Sequence, residues 1–303
     1  MNNILITGAH RSGTTWLGEV FRRLNGYNYF YEPFNPRGKV ANVPMINQYE
    51  NITKNSSINR KNVYYKYLDS YRSVNYGNLQ DFLKKSPTLK IAIKGVVKEL
   101  TKPFFKKMIF KDPLALLAAE WIYNNFNSKV IIIVRHPCAV VESHKSRGWR
   151  FSFNHLLNQD DLKEELEPFM DRINKLSNTE DDCIERAAIW WAILNKRVLS
   201  YLNEFSENKN WVFVSHEFLL QSPENNFKTL FKKLDLVYSK KVERFINKST
   251  TLSKRNESNL VRNHEELIHK WKRKLSKEEQ SLVIEVCGNT YQSILDNSKF
   301  LDK

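Results

Sequence analysis

Between Gly8 and Thr15 the chain reads Gly-Ala-His-Arg-Ser-Gly-Thr-Thr, which sets one guanidinium, one imidazole and three hydroxyls around two glycines. Such a set suits the binding of an anion. Ile4, Leu5 and Ile6 form an apolar run that stops at Gly8, as a buried parallel strand would. From Thr14 onward the apolar residues fall at Trp16, Leu17, Val20 and Phe21, a helical spacing. A strand, a tight glycine turn and a helix start make a cradle: the unpaired N–H groups of the first helical turn point at the anion, and the helix dipole favours its charge. Arg11, Gly13 and the hydroxyls of Ser12, Thr14 and Thr15 are the expected contacts, with charge-assisted bonds from the guanidinium.

The loop nearly matches the nucleotide-binding pattern G-x-x-x-x-G-K-[ST], but the lysine position holds Thr14. That lysine reaches the β- and γ-phosphates of a triphosphate, so its replacement argues against an ATPase or GTPase and for a smaller anion. A second cation lies at Arg135, directly after Lys129–Val134 (KVIIIV), the most hydrophobic strand and therefore expected at the centre of a sheet. Ser143 follows eight residues on, along the next helix. A nucleoside-triphosphatase typically carries a magnesium-holding carboxylate at such a strand end. Ligands bind outside the carboxyl ends of parallel strands, so Arg135 and the first loop should face one crevice. Two cationic cradles without a magnesium carboxylate suit a nucleotide phosphorylated at two positions.

Strands alternate with helices along the chain, which predicts an α/β fold of the P-loop-like, three-layer kind: a central, mostly parallel sheet flanked by helices. Strands are expected at Tyr27–Tyr31, Ile91–Ile93, Met108–Phe110 and Trp211–Ser215 besides the two named. Helices are expected from Pro113 to about Phe126 with Asp112 as N-cap, from Pro137 to Gly148, from Cys183 to Phe205, after Ser222-Pro223-Glu224, and from Lys277 to Leu295 behind a capping box of Ser276 and Glu279. One domain over 1–303 is expected, with polar insertions at about 35–86 and an acidic, solvated one at 154–182. Lys90, Lys94, Lys98, Lys102 and Lys106 recur every four residues, yet Pro103 breaks a continuous helix there, and they read as solvated lysines, not a specific nucleic-acid helix.

The formal net charge of +15 over 303 residues points to anionic partners or substrates. Three cysteines, Cys138, Cys183 and Cys287, lie far apart without metal or disulfide spacing, which favours a reducing compartment. A first strand starting near residue 3 and no apolar run of membrane-spanning length predict a cytoplasmic protein without a transmembrane segment. Oligomeric state stays open.

The stretches Gly8–Trp16 and Val134-Arg135-His-Pro-Cys-Ala-Val-Val-Glu-Ser143 resemble the loop for the 5′-phosphosulfate and the 3′-phosphate motif of the sulfotransferases that use 3′-phosphoadenosine 5′-phosphosulfate (PAPS). His216–Pro223 resembles that family's late strand-to-helix segment, and Tyr31-Glu32-Pro33 and Lys111-Asp112-Pro113 resemble the branch that sulfates carbohydrates. The late RKG signature of the small-molecule branch is missing; Lys254-Arg255 is the candidate replacement. The resemblance implies PAPS as co-substrate, Arg135 and Ser143 on its 3′-phosphate, Trp16 stacked on adenine, and an acceptor hydroxyl or amine, on a glycan or other hydroxylated and possibly anionic molecule. No metal is needed. Sulfuryl transfer is mostly positioning and charge stabilisation in an in-line displacement. Arg11 would steady the leaving nucleotide, with Lys111 as an assistant there or an ion-pair partner. Glu32 is the candidate base for the acceptor proton, with His10, His136 and His144 as rivals, His10 being the best placed. A P-loop kinase or other NTPase and a non-catalytic polyanion binder are the alternative readings.

Overall fold

The structure is a computed structural model and describes residues 2–36, 44–72, 88–89, 93, 107–176, 183–251 and 268–302. Its centre is a five-stranded, fully parallel sheet of β1 (Asn3–Thr7), β2 (Tyr27–Tyr31), β3 (Lys107–Lys111), β4 (Ser128–Val134) and β5 (Trp211–Ser215), in the order β2-β3-β1-β4-β5. Ile4 lies opposite Ile109 on one side and Lys129 on the other. Side chains alternate between faces, and both faces are apolar. Ile4, Ile6, Ile131, Ile133, Val212 and Val214 share one core, and Leu5, Phe110, Val130, Ile132 and Val134 the other. Burial on both sides is why these strands read as unbroken apolar runs.

Helix α1 (Thr14–Phe21) covers the first face through Leu17, Val20 and Phe21. On the second face lie α2 (Ile58–Asp69), α3 (Ala119–Phe126), α4 (Pro137–Lys145) and α5 (Cys183–Phe205). Helix α6 (Pro223–Lys233) joins the first face through Phe227, Leu230 and Phe231, beside α7 (Lys240–Thr251). Helix α8 (Lys277–Leu295) packs on α5 and starts with the expected capping box of Ser276 and Glu279. The loops after β1 and β4 therefore leave toward opposite faces of neighbouring strands, which opens a crevice at their carboxyl ends.

Several expectations need correction. KVIIIV is interior but not central: β1 is the middle strand, and β4 needs only a neighbour on each side and helices on both faces to be fully apolar. The segment after Asp112 begins as a 3-10 helix, Pro113–Ala118, and becomes α-helical at Ala119. Helix α4 stops at Lys145, short of Gly148, whose φ of 61° carries a left-handed turn. The acidic segment after Asn154 is not solvated throughout: Leu156, Leu162, Leu166, Phe169, Ile173 and Leu176 are buried, because its apolar residues also recur at three- and four-residue spacing. Residues 177–182 of it, the lysine series from Lys90 to Lys106 and Lys254-Arg255 lie outside the described residues. So does most of the expected strand Ile91–Ile93; Ile93 itself is helical. No described helix is long and apolar enough to cross a membrane.

Candidate active site

The loop from Gly8 to Gly13 owes its path to close approaches. A Cβ on Gly8 would stand 2.2 Å from the Ile133 carbonyl oxygen of β4, and one on Gly13 would stand 2.4 Å from Cδ2 of His216. Gly13, at φ 98°, is the N-cap of α1 and has no side chain to close the helix end. The N–H groups of the first turn are thus left for an outside acceptor. Ser12 Oγ is buried and has no partner among the described residues. Thr14 is also buried, and Thr15 opens outward.

Arg11, itself at φ 68°, turns its side chain toward α4, where Nε donates to Ser143 Oγ at 2.9 Å. Arg135 donates from Nη1 to the Arg11 carbonyl oxygen at 3.0 Å, so the strand-end guanidinium also fixes the loop. Trp191 Nε1 donates to the Arg135 carbonyl oxygen at 3.1 Å, and the His136 N–H donates to Glu217 Oε1 at 3.1 Å. Burial moves the Arg135 guanidinium downward in pKa, opposed by the charges of Glu217 and Glu142. These contacts surround a cavity of about 370 Å³, whose lining includes Arg11, Arg135, Ser143, Trp16, Ser249 and Lys270. Trp16 packs edge-on to Phe227 at 5.2 Å, and its Nε1 donates to Ser249 Oγ at 3.1 Å. It is both a helix-face packing residue and a wall of the cavity.

On the other side of the loop, Glu32 and Lys111 form an ion pair, with Oε1 and Nζ 2.5 Å apart. Lys111 is 0% exposed, and Nζ also reaches Thr15 Oγ1 at 3.4 Å and the Tyr31 ring at 3.5 Å from its centroid. Gly18 makes room for it: a Cβ there would stand 2.5 Å from Lys111 Cγ. Glu32 sits at φ 49°, and its Oε2 accepts from Asn35 Nδ2 at 3.0 Å. Beside it, Asp112 accepts from the backbone N–H groups of Phe34 at 2.5 Å and Leu114 at 2.9 Å, while burial pushes its carboxyl up to about 7.

The histidines divide by place. His10 lies in the loop, against Tyr49, and burial with the charges of Lys111 and Arg11 pushes it down to about 3. His144 is buried in α4, and burial with the His10 and Arg11 charges brings it to about 3. His136 caps α4, where Nδ1 accepts from the Cys138 N–H at 3.2 Å and the ring stacks on Trp271 at 4.4 Å. Burial there lowers it to about 4. The structure thus brings Arg11, Ser12, Gly13, Arg135 and Ser143 together, sets Glu32 and His10 on the loop's far flank, and leaves His136 in a cap. Tyr49, Ser249 and Lys270 join the site without any local signal. Their partners His10, Trp16 and Glu142 lie far off in sequence. Trp149, exposed beside Arg11 with the guanidinium 5.6 Å from its ring centroid, is placed by the Gly148 turn.

The family model "Sulfotransferase domain" matches residues 1–290. Among solved structures, the sulfotransferase domain from the curacin biosynthetic pathway is similar at 15% identity and a TM-score of 0.48, covering 94% of this chain and 97% of that one. Mouse sulfotransferase SULT7A1 complexed with PAP is similar at 13% identity and a TM-score of 0.45, covering 98% and 84%. Sulfotransferase STF9 from Mycobacterium avium follows at 10% identity and a TM-score of 0.41, covering 95% and 76%. No curated protein sequence matches the chain.

Proposed function

Since the chain belongs to the sulfotransferase family, whose members use PAPS, we propose that it carries a sulfuryl group from PAPS to a hydroxyl or amine of a carbohydrate acceptor. The observation that carries the nucleotide half of this reading is the linked trio Arg11, Arg135 and Ser143 on one wall of a cavity of about 370 Å³. That volume falls within the ordinary range for a small-molecule site. The orphaned Ser12 hydroxyl and the uncapped N-terminus of α1 fit the 5′-phosphate, with Gly13, Thr14 and Thr15 around it. Arg135 and Ser143 fit the 3′-phosphate, and Trp16 offers a ring edge or face to the base. The acceptor half rests on the net charge of +15, which suits an anionic glycan, and on the Tyr31-Glu32-Pro33 stretch.

In this scheme the residues position the reactants in line and hold charge as it moves. Arg11 stands over the loop and steadies negative charge on the leaving nucleotide, assisted by the first-turn N–H groups. Lys111, buried between Glu32 and Thr15, places an ammonium beside the same spot and fixes the Glu32 carboxylate. Glu32 then takes the acceptor proton, through lone pairs not engaged by Lys111 and Asn35.

The test is thermal stabilisation by adenosine 3′,5′-bisphosphate (PAP) against AMP and ATP, with and without magnesium. PAP at a hundredfold excess over its dissociation constant should stabilise the protein by about 2.7 kcal/mol without metal. AMP should do clearly less at the same concentration. Equal shifts from PAP and AMP would remove the 3′-phosphate role, and a magnesium-dependent ATP shift would favour a kinase.

A further inference from the structure

The phenol of Tyr49 meets His10 twice. Its oxygen accepts from the His10 backbone N–H at 3.2 Å and lies 2.5 Å from Nδ1 of the His10 ring. A phenol has one proton to give. Tyr49 is 0% exposed and its phenol proton has no acceptor but Nδ1 among the described residues, so only donation to Nδ1 leaves no buried proton unpaired. Nδ1 is then the bare nitrogen, and the ring proton sits on Nε2. Tyr49 is itself immobilised: it is 0% exposed, lies edge-on to the His10 ring at a centroid distance of 5.2 Å, and its carbonyl oxygen accepts from Gln159 Nε2 at 2.7 Å. Gln159 returns through Oε1 to the backbone N–H of Asn51 at 2.8 Å, so the clamp grips both flanks of the 49–51 segment.

The other nitrogen of His10 is in the opposite situation. Nε2 has no hydrogen-bond partner among the described residues, and it does not belong to their buried unpartnered atoms. An accessible N–H held rigidly in an anion-binding loop, one residue before Arg11, is a donor prepared for a ligand oxygen.

We propose that Tyr49 is a positioning residue that locks His10 in the Nε2–H tautomer, so that His10 donates a hydrogen bond to the sulfonate oxygens of PAPS and does not take the acceptor's proton. No proton changes hands in this contact. It strengthens as charge develops around the transferring group, and it leaves proton removal to another residue. The inference rests on the PAPS reading, and it names the part of PAPS that PAP lacks.

Two measurements test it. Long-range proton–nitrogen NMR of the nitrogen-15-labelled, ligand-free protein, with the His10 signals identified by their loss in His10→Gln, should show a protonated Nε2 and a bare Nδ1. Tyr49→Phe should collapse that pattern to a tautomer mixture. A protonated Nδ1 in the native protein would overturn the proposal without touching the PAPS reading. Calorimetry then compares PAPS with PAP. His10→Ala should lose about tenfold to a hundredfold more affinity for PAPS than for PAP, the worth of a hydrogen bond to a charged group. His10→Gln, whose amide nitrogen can stand near the Nε2 position, should keep most of the PAPS affinity, whereas His10→Asn should not. Equal weakening of PAPS and PAP in His10→Ala, or rescue by Asn and not Gln, would refute the assignment. Failure of the native protein to bind either nucleotide would instead refute the PAPS reading.

Discussion

The floor of the crevice and its far flank are built differently. On the floor, Gly8 and Gly13 hold backbone shapes that a side chain would block, Arg135 stands at the end of β4, and its guanidinium grips the main chain of the loop. On the flank, Glu32, Lys111 and Thr15 are held by side-chain pairing. The two regions should therefore fail in different ways. Damage to the floor should reach binding and stability together, because the groups that would bind the nucleotide also hold the loop's main chain. Damage to the Glu32 carboxylate on the flank should reach turnover and spare PAP binding.

The strongest test of the flank is Glu32→Gln, which keeps the shape and an oxygen acceptor but removes the carboxylate. Turnover should fall by about 10²–10⁴-fold, the usual worth of a positioned general base. PAP affinity should stay near the native value. Unchanged turnover would strip Glu32 of the role, and a fall in PAP affinity with it would erase the line between flank and floor.

On the floor, Arg135→Ala should weaken PAP by roughly 2–5 kcal/mol, the range for removing one partner of a buried charge pair. Calorimetry with PAP and AMP separates the two duties of this residue. Loss confined to PAP would mean that Arg135 acts on the 3′-phosphate. Part of the loss should appear with AMP too, because Arg135 also anchors the Arg11 carbonyl oxygen. If AMP weakens as much as PAP, the residue serves only the loop.

What could be read from the chain divides differently, between local signals and long-range contacts. The glycines at 8 and 13 and Arg135 stand at strand ends and a helix start, with Ser143 farther along the helix that follows, and those positions follow from short apolar runs and punctuation. That the sheet is parallel is legible for the same reason, though not its strand order. The long-range partners are not, since Tyr49 reaches His10, and Ser249 reaches Trp16, only through the tertiary fold. Local periodicity carries no information about such pairs. The segment after Asn154 failed for a different reason: its acidic residues dominate the composition, while the leucines and phenylalanine between them do the packing. Glu165 even enters a partly buried pair with Arg197 at 2.6 Å.

Gly13→Ala probes the floor with the smallest possible side chain. The added methyl meets the His216 ring, and the φ of 98° strains any residue with a Cβ. Overpacking and strain together should cost roughly 2–4 kcal/mol in urea unfolding. PAP binding should weaken as well, because the first turn of α1 must shift. A variant of native stability and affinity would show that His216 swings away freely, and that the loop is not set by this contact.

The smallest effect concerns pH and reaches across the boundary between the two regions. His144 is 2% exposed in α4, beside Phe151 at 4.7 Å and Trp149 at 5.6 Å, and its Nδ1 has no partner among the described residues. Burial, then the His10 and Arg11 charges, hold it at about 3, below its usual 6.5. Above pH 6.5 the ring is neutral in both folded and unfolded chains and contributes no pH dependence. As pH falls below 6.5 the unfolded chain takes up a proton that the native one refuses, so stability drops with falling pH. The slope is about half of 1.36 kcal/mol per pH unit at pH 6.5 and approaches the full value near pH 5, which gives about 1.6 kcal/mol over that interval from this residue alone. His10 and His136 add to the trend in the same direction, tempered by their partial exposure. Urea unfolding of the native protein and of His144→Phe at matched pH values separates the shares. The substitution keeps an aromatic ring against Phe151 and Trp149 and should flatten the acid slope by about one proton. An unchanged slope in His144→Phe would mean that His144 charges in the folded protein, with Arg11 close by, and that the loop tolerates more positive charge than its geometry implies.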